Sequence, residues 1–248
     1  MVLSGIRGAL GFLSRLPVGH DQEAWDTLRG QPATFPAVGY LLGAIFLLPL
    51  LLPVPAATAA VLFVLVIYAV TGINHLDGVT DLGDAVVVHG DSADRREVMK
   101  DTTVGVGGAF ALVVVVFGLG AAGFQLAQLP VAALGLVVAT EVAAKGGMAV
   151  LICLGSAAHD GLGAQFTEAN SREGIVSVGL LILPALALTW PALVPLVATI
   201  RSALLVALVL LWWANTALGG VSGDVFGAAN EIARLVGLHV GVIVWMHC

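Results

Sequence analysis

A chain of 248 residues that is 59% apolar and only 10% charged, with a mean hydropathy of +1.02, is too apolar for a soluble domain, in which about a quarter of residues carry charge. The formal net charge is -6 and lysine occurs only as Lys100 and Lys145, an acidic bias that suits a salt-rich cell; no nucleic-acid partner is expected. Two cysteines, Cys153 in an apolar run and Cys248 at the last residue, offer neither a disulfide framework nor metal-ligand spacing.

In chain order, the N-terminal stretch carries Arg7 and is broken by Arg15 and Pro17, so it reads as an interfacial amphipathic segment rather than a signal peptide. Apolar runs follow from Phe35 to Leu52, Ala56 to Ile73, Val104 to Leu126, Pro130 to Leu154, Ile175 to Thr189, Ala192 to Trp213 and Val225 to Trp245. Each is near the ~20 residues that a bilayer crossing needs. The expected fold is therefore all-α, a polytopic membrane bundle of about seven transmembrane helices. It forms one catalytic domain over residues 1 to 248, set in the lipid bilayer. Pro184, Pro191 and Pro195 interrupt the fifth and sixth runs, and a turn at Arg201 would instead lengthen the fifth and shorten the sixth.

The connections divide by side. Residues 1 to 34, 74 to 103, 155 to 174 and 214 to 224 lie on one side, and they hold Arg7, Arg15, Arg29, Arg95, Arg96, Lys100 and Arg172. The positive-inside rule makes that side cytoplasmic, in a multi-pass protein of the plasma membrane. The other side has only short turns such as Pro53-Val54-Pro55.

Seven of the sixteen carboxylates fall between Asn74 and Asp101. Asp77, Asp81 and Asp84 are spaced i, i+4, i+7, which on a helix gives one face able to share a divalent cation or a metal-bridged diphosphate. The plain alternative is a solvated acidic loop, but Asp77 follows an apolar run so closely that an unpaired carboxylate there is costly. Arg95, Arg96 and Lys100 come next as counter-charges. Clustered Asp with Arg and Lys nearby is the equipment of magnesium-assisted phosphoryl transfer. His75 reads either as a general base or as a helix-end residue that bonds a carboxylate. Asp224, behind Ser222 and Gly223 at the start of the last apolar run, is either a helix cap or a further metal ligand. Arg15 either binds nucleotide or anchors the N-terminal segment in headgroups. Lys145, four positions after Glu141 in the fourth run, is either a substrate cation or an internal ion-pair partner. His159, His239 and His247 show no metal spacing.

The stretch Gly72-Ile73-Asn74-His75-Leu76-Asp77-Gly78-Val79-Thr80-Asp81-Leu82-Gly83-Asp84, followed by Asp94-Arg95 and Met99-Lys100-Asp101, resembles the signature of the cobalamin 5'-phosphate synthases, or adenosylcobinamide-GDP ribazoletransferases. Phe12-Leu13-Ser14-Arg15-Leu16-Pro17, Phe35-Pro36 with Gly39 and Gly43, Gly161-Leu162-Gly163 with Phe166, and Gly219 through Ala228 are similar to further family segments in the same order. In the fourth run, where family members commonly carry an arginine, this chain has Lys145. The resemblance implies adenosylcobinamide-GDP and alpha-ribazole, or its 5'-phosphate, as substrates, with GMP leaving. It implies magnesium on Asp77, Asp81, Asp84 and Asp224, with Asp101 as a further ligand or base. Lys100 and Arg95 would clamp phosphate, with Arg15, Lys145 and Ser222 on the substrate and His75 at the reacting hydroxyl. Two rivals remain. A CDP-alcohol phosphotransferase would need Ala-Arg where Asp81-Leu82 stands, and a cation-coupled transporter would place such charges near the midplane of two related halves.

Overall fold

The polar and proline-marked breaks in the sequence become the helix ends of the computed structural model, which describes residues 2 to 19 and 21 to 248. In order these are α1 (Val2–Leu13), α2 (Gln22–Arg29), α3 (Thr34–Phe46), α4 (Ala56–Thr71), α5 (Asn74–Val87) and α6 (Ser92–Val98). Then come α7 (Val106–Leu126), α8 (Gly135–Leu154), α9 (Leu162–Thr167), α10 (Gly174–Ile182), α11 (Leu193–Ala217) and α12 (Gly223–His247). Among the described residues the β pairing is confined to one parallel bridge between Ala157 and Val221.

All seven apolar runs are helical, but they are not equal. Five are long and apolar enough to cross a membrane by themselves: Thr34–Leu51, Val106–Leu126, Val131–Leu154, Leu193–Ala217 and Gly223–His247. Ala56–Thr71 reaches that standard only together with Asn74–Val87, from which it is bent by 99°, so the count is five or six where about seven were expected. The fifth run is the short one, Gly174–Ala187, because Pro184 tightens the chain into a 3-10 turn over Leu183–Ala187. Arg201 lies inside the unbroken α11, so the turn falls before Leu193 and not at Arg201.

α8 is the axis of the bundle. Its span is 94% buried, against 28% for that of α7 and 33% for that of α11, which present apolar side chains outward as lipid-facing helices do. Around α8 pack α3, α11 and α12, while α5 and α7 lie against α12. Phe166 of α9 is fully buried among Phe12, Trp25, Phe35 and Phe226, with ring centroids 5.3 to 6.4 Å away. That aromatic knot ties the amphipathic α1 and α2 onto the same end of the bundle as the acidic segment.

The bend between α4 and α5 positions everything that follows. Gly72 sits there at φ +75°, a conformation other residues adopt only with strain. Arg15 crosses the joint, its backbone N–H bonded to the Val70 carbonyl at 2.7 Å.

Candidate active site

α5 carries the acidic face as its spacing requires, and its three aspartates are graded by depth. Asp77 is exposed, Asp81 half-buried and Asp84 buried. α12 supplies a fourth. Gly78 faces Asp224 so closely that a Cβ there would stand 3.0 Å from the Asp224 Cα, so only glycine lets the two helices approach. Asp81 consequently feels like charges from Asp224, Asp77 and Asp84. Among the described residues none of Asp77, Asp81 and Asp224 forms an ion pair.

Asp84 is differently employed. Its two carboxylate oxygens accept the N–H groups of Gly105 at 2.8 Å and Gly108 at 2.9 Å, so it caps α7 from a neighbouring helix. Ser222 caps α12 by accepting the Val225 N–H, and its hydroxyl reaches Asp224 Oδ2 at 3.3 Å. The turn leading into α12 is held by the bridge at Val221, whose N–H bonds the Ser156 carbonyl at 2.8 Å and whose carbonyl accepts from Ala158 at 3.0 Å.

That bridge brings His159 to the start of α12. Arg96, Lys100, His159, Ser222 and Asp224 all line one cavity of about 120 Å³. Ser222 thus bonds Asp224, and Lys100 lines the same cavity. Arg95 does not join them: its guanidinium bonds the Ala85 carbonyl at 2.7 Å, at the end of α5. Its neighbour Arg96 reaches the cavity instead, bonded to the Leu218 carbonyl at 2.5 Å. Asp101 is exposed, and the Thr103 N–H and hydroxyl hold its carboxyl below the usual carboxylate range, which makes it a weaker base.

Lys145 lies in the bundle interior, fully buried, with its ammonium 2.8 Å from Glu141. Of the two readings of this residue, the structure displays the ion pair. Arg234 of α12 bonds the same Glu141 and also Glu231 at 2.6 Å, and its guanidinium stands 5.6 Å from the centre of the Phe46 ring. Glu231 further accepts the Tyr68 hydroxyl at 3.1 Å. His75 hangs from this network: its Nδ1 is 3.1 Å from Asn230 Nδ2 and 3.6 Å from Glu231 Oε1. Sequence reasoning passed over Asn230, Glu231 and Arg234. The available signal was a pair of opposite charges three residues apart inside an apolar run.

Among the described residues no three His, Cys, Asp or Glu side chains enclose a metal position by themselves. This donor set still suits magnesium, which binds through one or two carboxylates and completes its shell with water and substrate phosphate. Asp77, Asp81 and Asp224, all-oxygen donors held in no ion pair among the described residues, are of that kind.

Over residues 5 to 242 the chain matches the family model described as cobalamin-5-phosphate synthase. It is 49% identical to the adenosylcobinamide-GDP ribazoletransferase of Halorubrum lacusprofundi, with 99% of each chain covered. To the protein of the same name from Haloquadratum walsbyi it is 46% identical, covering 99% of this chain and 100% of that one. A Pyrococcus abyssi protein of that name is 34% identical over 92% of this chain and 94% of its own. No solved structure matches.

Proposed function

The chain belongs to the cobalamin-5-phosphate synthase family, and on that premise we propose that it is an adenosylcobinamide-GDP ribazoletransferase, the activity for which its relatives are named. In this reaction a hydroxyl of alpha-ribazole, or of its 5'-phosphate, attacks the phosphorus on the cobinamide side of the diphosphate. A new P–O bond forms, the bond to GMP breaks, and the hydroxyl proton is lost. The observation that carries the reading is the meeting of α5 and α12, where Asp77, Asp81 and Asp224 lie together, none of them in an ion pair among the described residues, beside a cavity lined by Lys100 and Arg96.

Phosphoryl transfer is mostly positioning and neutralisation of charge. Asp77, Asp81 and Asp224 would hold magnesium, with Asp84 behind them fixing the start of α7. When bound, magnesium neutralises diphosphate oxygens and makes the phosphorus more electrophilic. Lys100 and Arg96 take the remaining phosphate oxygens, and Ser222 and the N-terminus of α12 add hydrogen-bond donors on the same side. Arg15, over the α4–α5 joint, would take the nucleotide end of the donor. The site opens to the cytoplasm, since the connections around it hold most of the chain's arginines.

The test is turnover by purified protein given adenosylcobinamide-GDP and alpha-ribazole or its 5'-phosphate, with magnesium and with a chelator. The reading requires a cobalamin product and GMP in equal amounts, lost on chelation and restored by magnesium. Absence of the cobalamin product from correctly folded protein would overturn it, and turnover unaffected by chelation would remove the metal.

A further inference from the structure

His75 opens the acidic helix, and the groups beneath it fix more than its position. Gly227 of α12 lets the His75 backbone come close, since a Cβ there would stand 3.0 Å from the His75 Cα. One turn on, Asn230 Nδ2 lies 3.1 Å from His75 Nδ1 and 2.9 Å from Glu231 Oε1. Glu231 cannot turn away, because its other oxygen is held by Arg234 at 2.6 Å and by the Tyr68 hydroxyl at 3.1 Å.

Donor and acceptor roles then follow in sequence. A carboxylate only accepts, so Asn230 must turn its NH2 toward Glu231; the reversed amide would set oxygen against oxygen. The same NH2 faces His75, and an amide NH2 only donates, so Nδ1 is the acceptor. A neutral imidazole that accepts at Nδ1 carries its proton on Nε2. Among the described residues the buried Asn230 oxygen has no partner, a cost consistent with an amide whose orientation is dictated by its other end. Glu231 Oε1, at 3.6 Å from Nδ1, is too far for a hydrogen bond that would favour the opposite tautomer. Glu141 and Glu231 are matched by Lys145 and Arg234. Among the described residues Nε2 has no partner and is not one of the polar atoms sealed from solvent, and the side chain keeps 16% exposure.

Resting on the ribazoletransferase reading, we infer that Asn230 and Glu231 are positioning residues that hold His75 with its proton on Nε2, where it donates a hydrogen bond to a phosphate oxygen of the nucleotide substrate. His75 is then not the base that receives the hydroxyl proton.

The experiment compares His75→Gln, whose NH2 falls near the Nε2 position, with His75→Asn, whose NH2 falls near Nδ1, and with His75→Ala. Each is purified in lipid nanodiscs and assayed for kcat and KM. Nitrogen NMR of isotope-labelled histidine, with the His75→Gln protein identifying the signal, reads the tautomer with no substrate present. A transition-state donor predicts that His75→Gln stays within about tenfold of wild-type kcat, while the other two fall by about 100-fold or more with smaller changes in KM. The wild-type ring should show its proton on Nε2, and Asn230→Ala should mix the tautomers and lower kcat. A wild-type proton on Nδ1, a His75→Asn enzyme faster than His75→Gln, or a full-rate His75→Ala would each overturn the inference. Wild-type protein without turnover defeats the ribazoletransferase reading, and with it the substrate of the donor; the NMR result separates that failure from a failure of the geometry.

Discussion

Arg234 on α12 and Glu141 on α8 form a two-pronged ion pair inside the bundle, 93 residues apart in sequence and each 1% exposed. Since Arg234 also neutralises Glu231, its removal leaves one buried carboxylate short of its cation and the other shared with Lys145 alone. Breaking a buried pair from one side costs about 3 to 5 kcal/mol. Arg234→Met should therefore lower the thermal unfolding midpoint in detergent far more than Lys145→Met, which leaves Glu141 still bonded to Arg234. Equal midpoints for the two variants would contradict this ranking.

Asp81→Asn keeps the shape of the side chain and removes a charge that the cation requires. The variant should insert and unfold like wild type yet lose turnover. Because Asp81 now sits among three like charges, the neutral side chain relieves repulsion, so its stability should be equal or slightly higher. Normal turnover by folded Asp81→Asn protein would exclude this residue as an essential ligand.

Asp84→Ala tests a different property of the same helix face. Loss of the acceptor for the Gly105 and Gly108 N–H groups should cost about 1 to 2 kcal/mol, as lost helix caps do. Hydrogen exchange at the start of α7 should rise first. An unchanged exchange rate there would mean that water replaces the cap without loss.

Lys100→Met addresses the cavity it shares with Asp224. If the ammonium neutralises charge growing on the transferred or departing phosphate, turnover should fall by the equivalent of about 2 to 4 kcal/mol. Activity is counted per correctly inserted molecule, and a full-rate variant would leave Lys100 as a topology anchor only.

Sidedness is checked with single cysteines at Asp91 and Ser171 in a chain lacking Cys153 and Cys248. Both should resist an impermeant thiol reagent in intact cells and react once the membrane is opened. Labelling of either from outside reverses the assignment of the site to the cytoplasm.

The sequence made the acidic face legible because helical spacing is local: Asp77, Asp81 and Asp84 needed no tertiary information to be placed together. The apolar runs were legible for the same reason, and Pro184 was marked as a break in the fifth, although not that the break leaves this run too short to cross by itself. What stayed hidden depends on orientation across the chain. Arg95 and Arg96 are adjacent on a short helix, and only the packing of α6 decides that the second reaches the cavity. His159 showed no motif of its own, and a backbone bridge to Val221 carries it to the start of α12. Lys145 could be read as facing substrate until Arg234, far along the chain, completed the charge group around Glu141.

The elbow at Gly72 has a consequence for the membrane itself. α4 has 16 residues and so rises about 24 Å, less than the ~30 Å of a typical hydrocarbon core. By length, α4 reaches a bilayer's span only together with the residues beyond its bend, so the joint at Gly72 and the first turns of α5, with their aspartates, complete a crossing that α4 alone leaves short. A helix shorter than the hydrocarbon layer is accommodated by thinning of the bilayer, by flanking side chains that snorkel or by assembly. The same elbow that turns the aspartates toward α12 therefore couples the acidic helix to the thickness of the surrounding lipid.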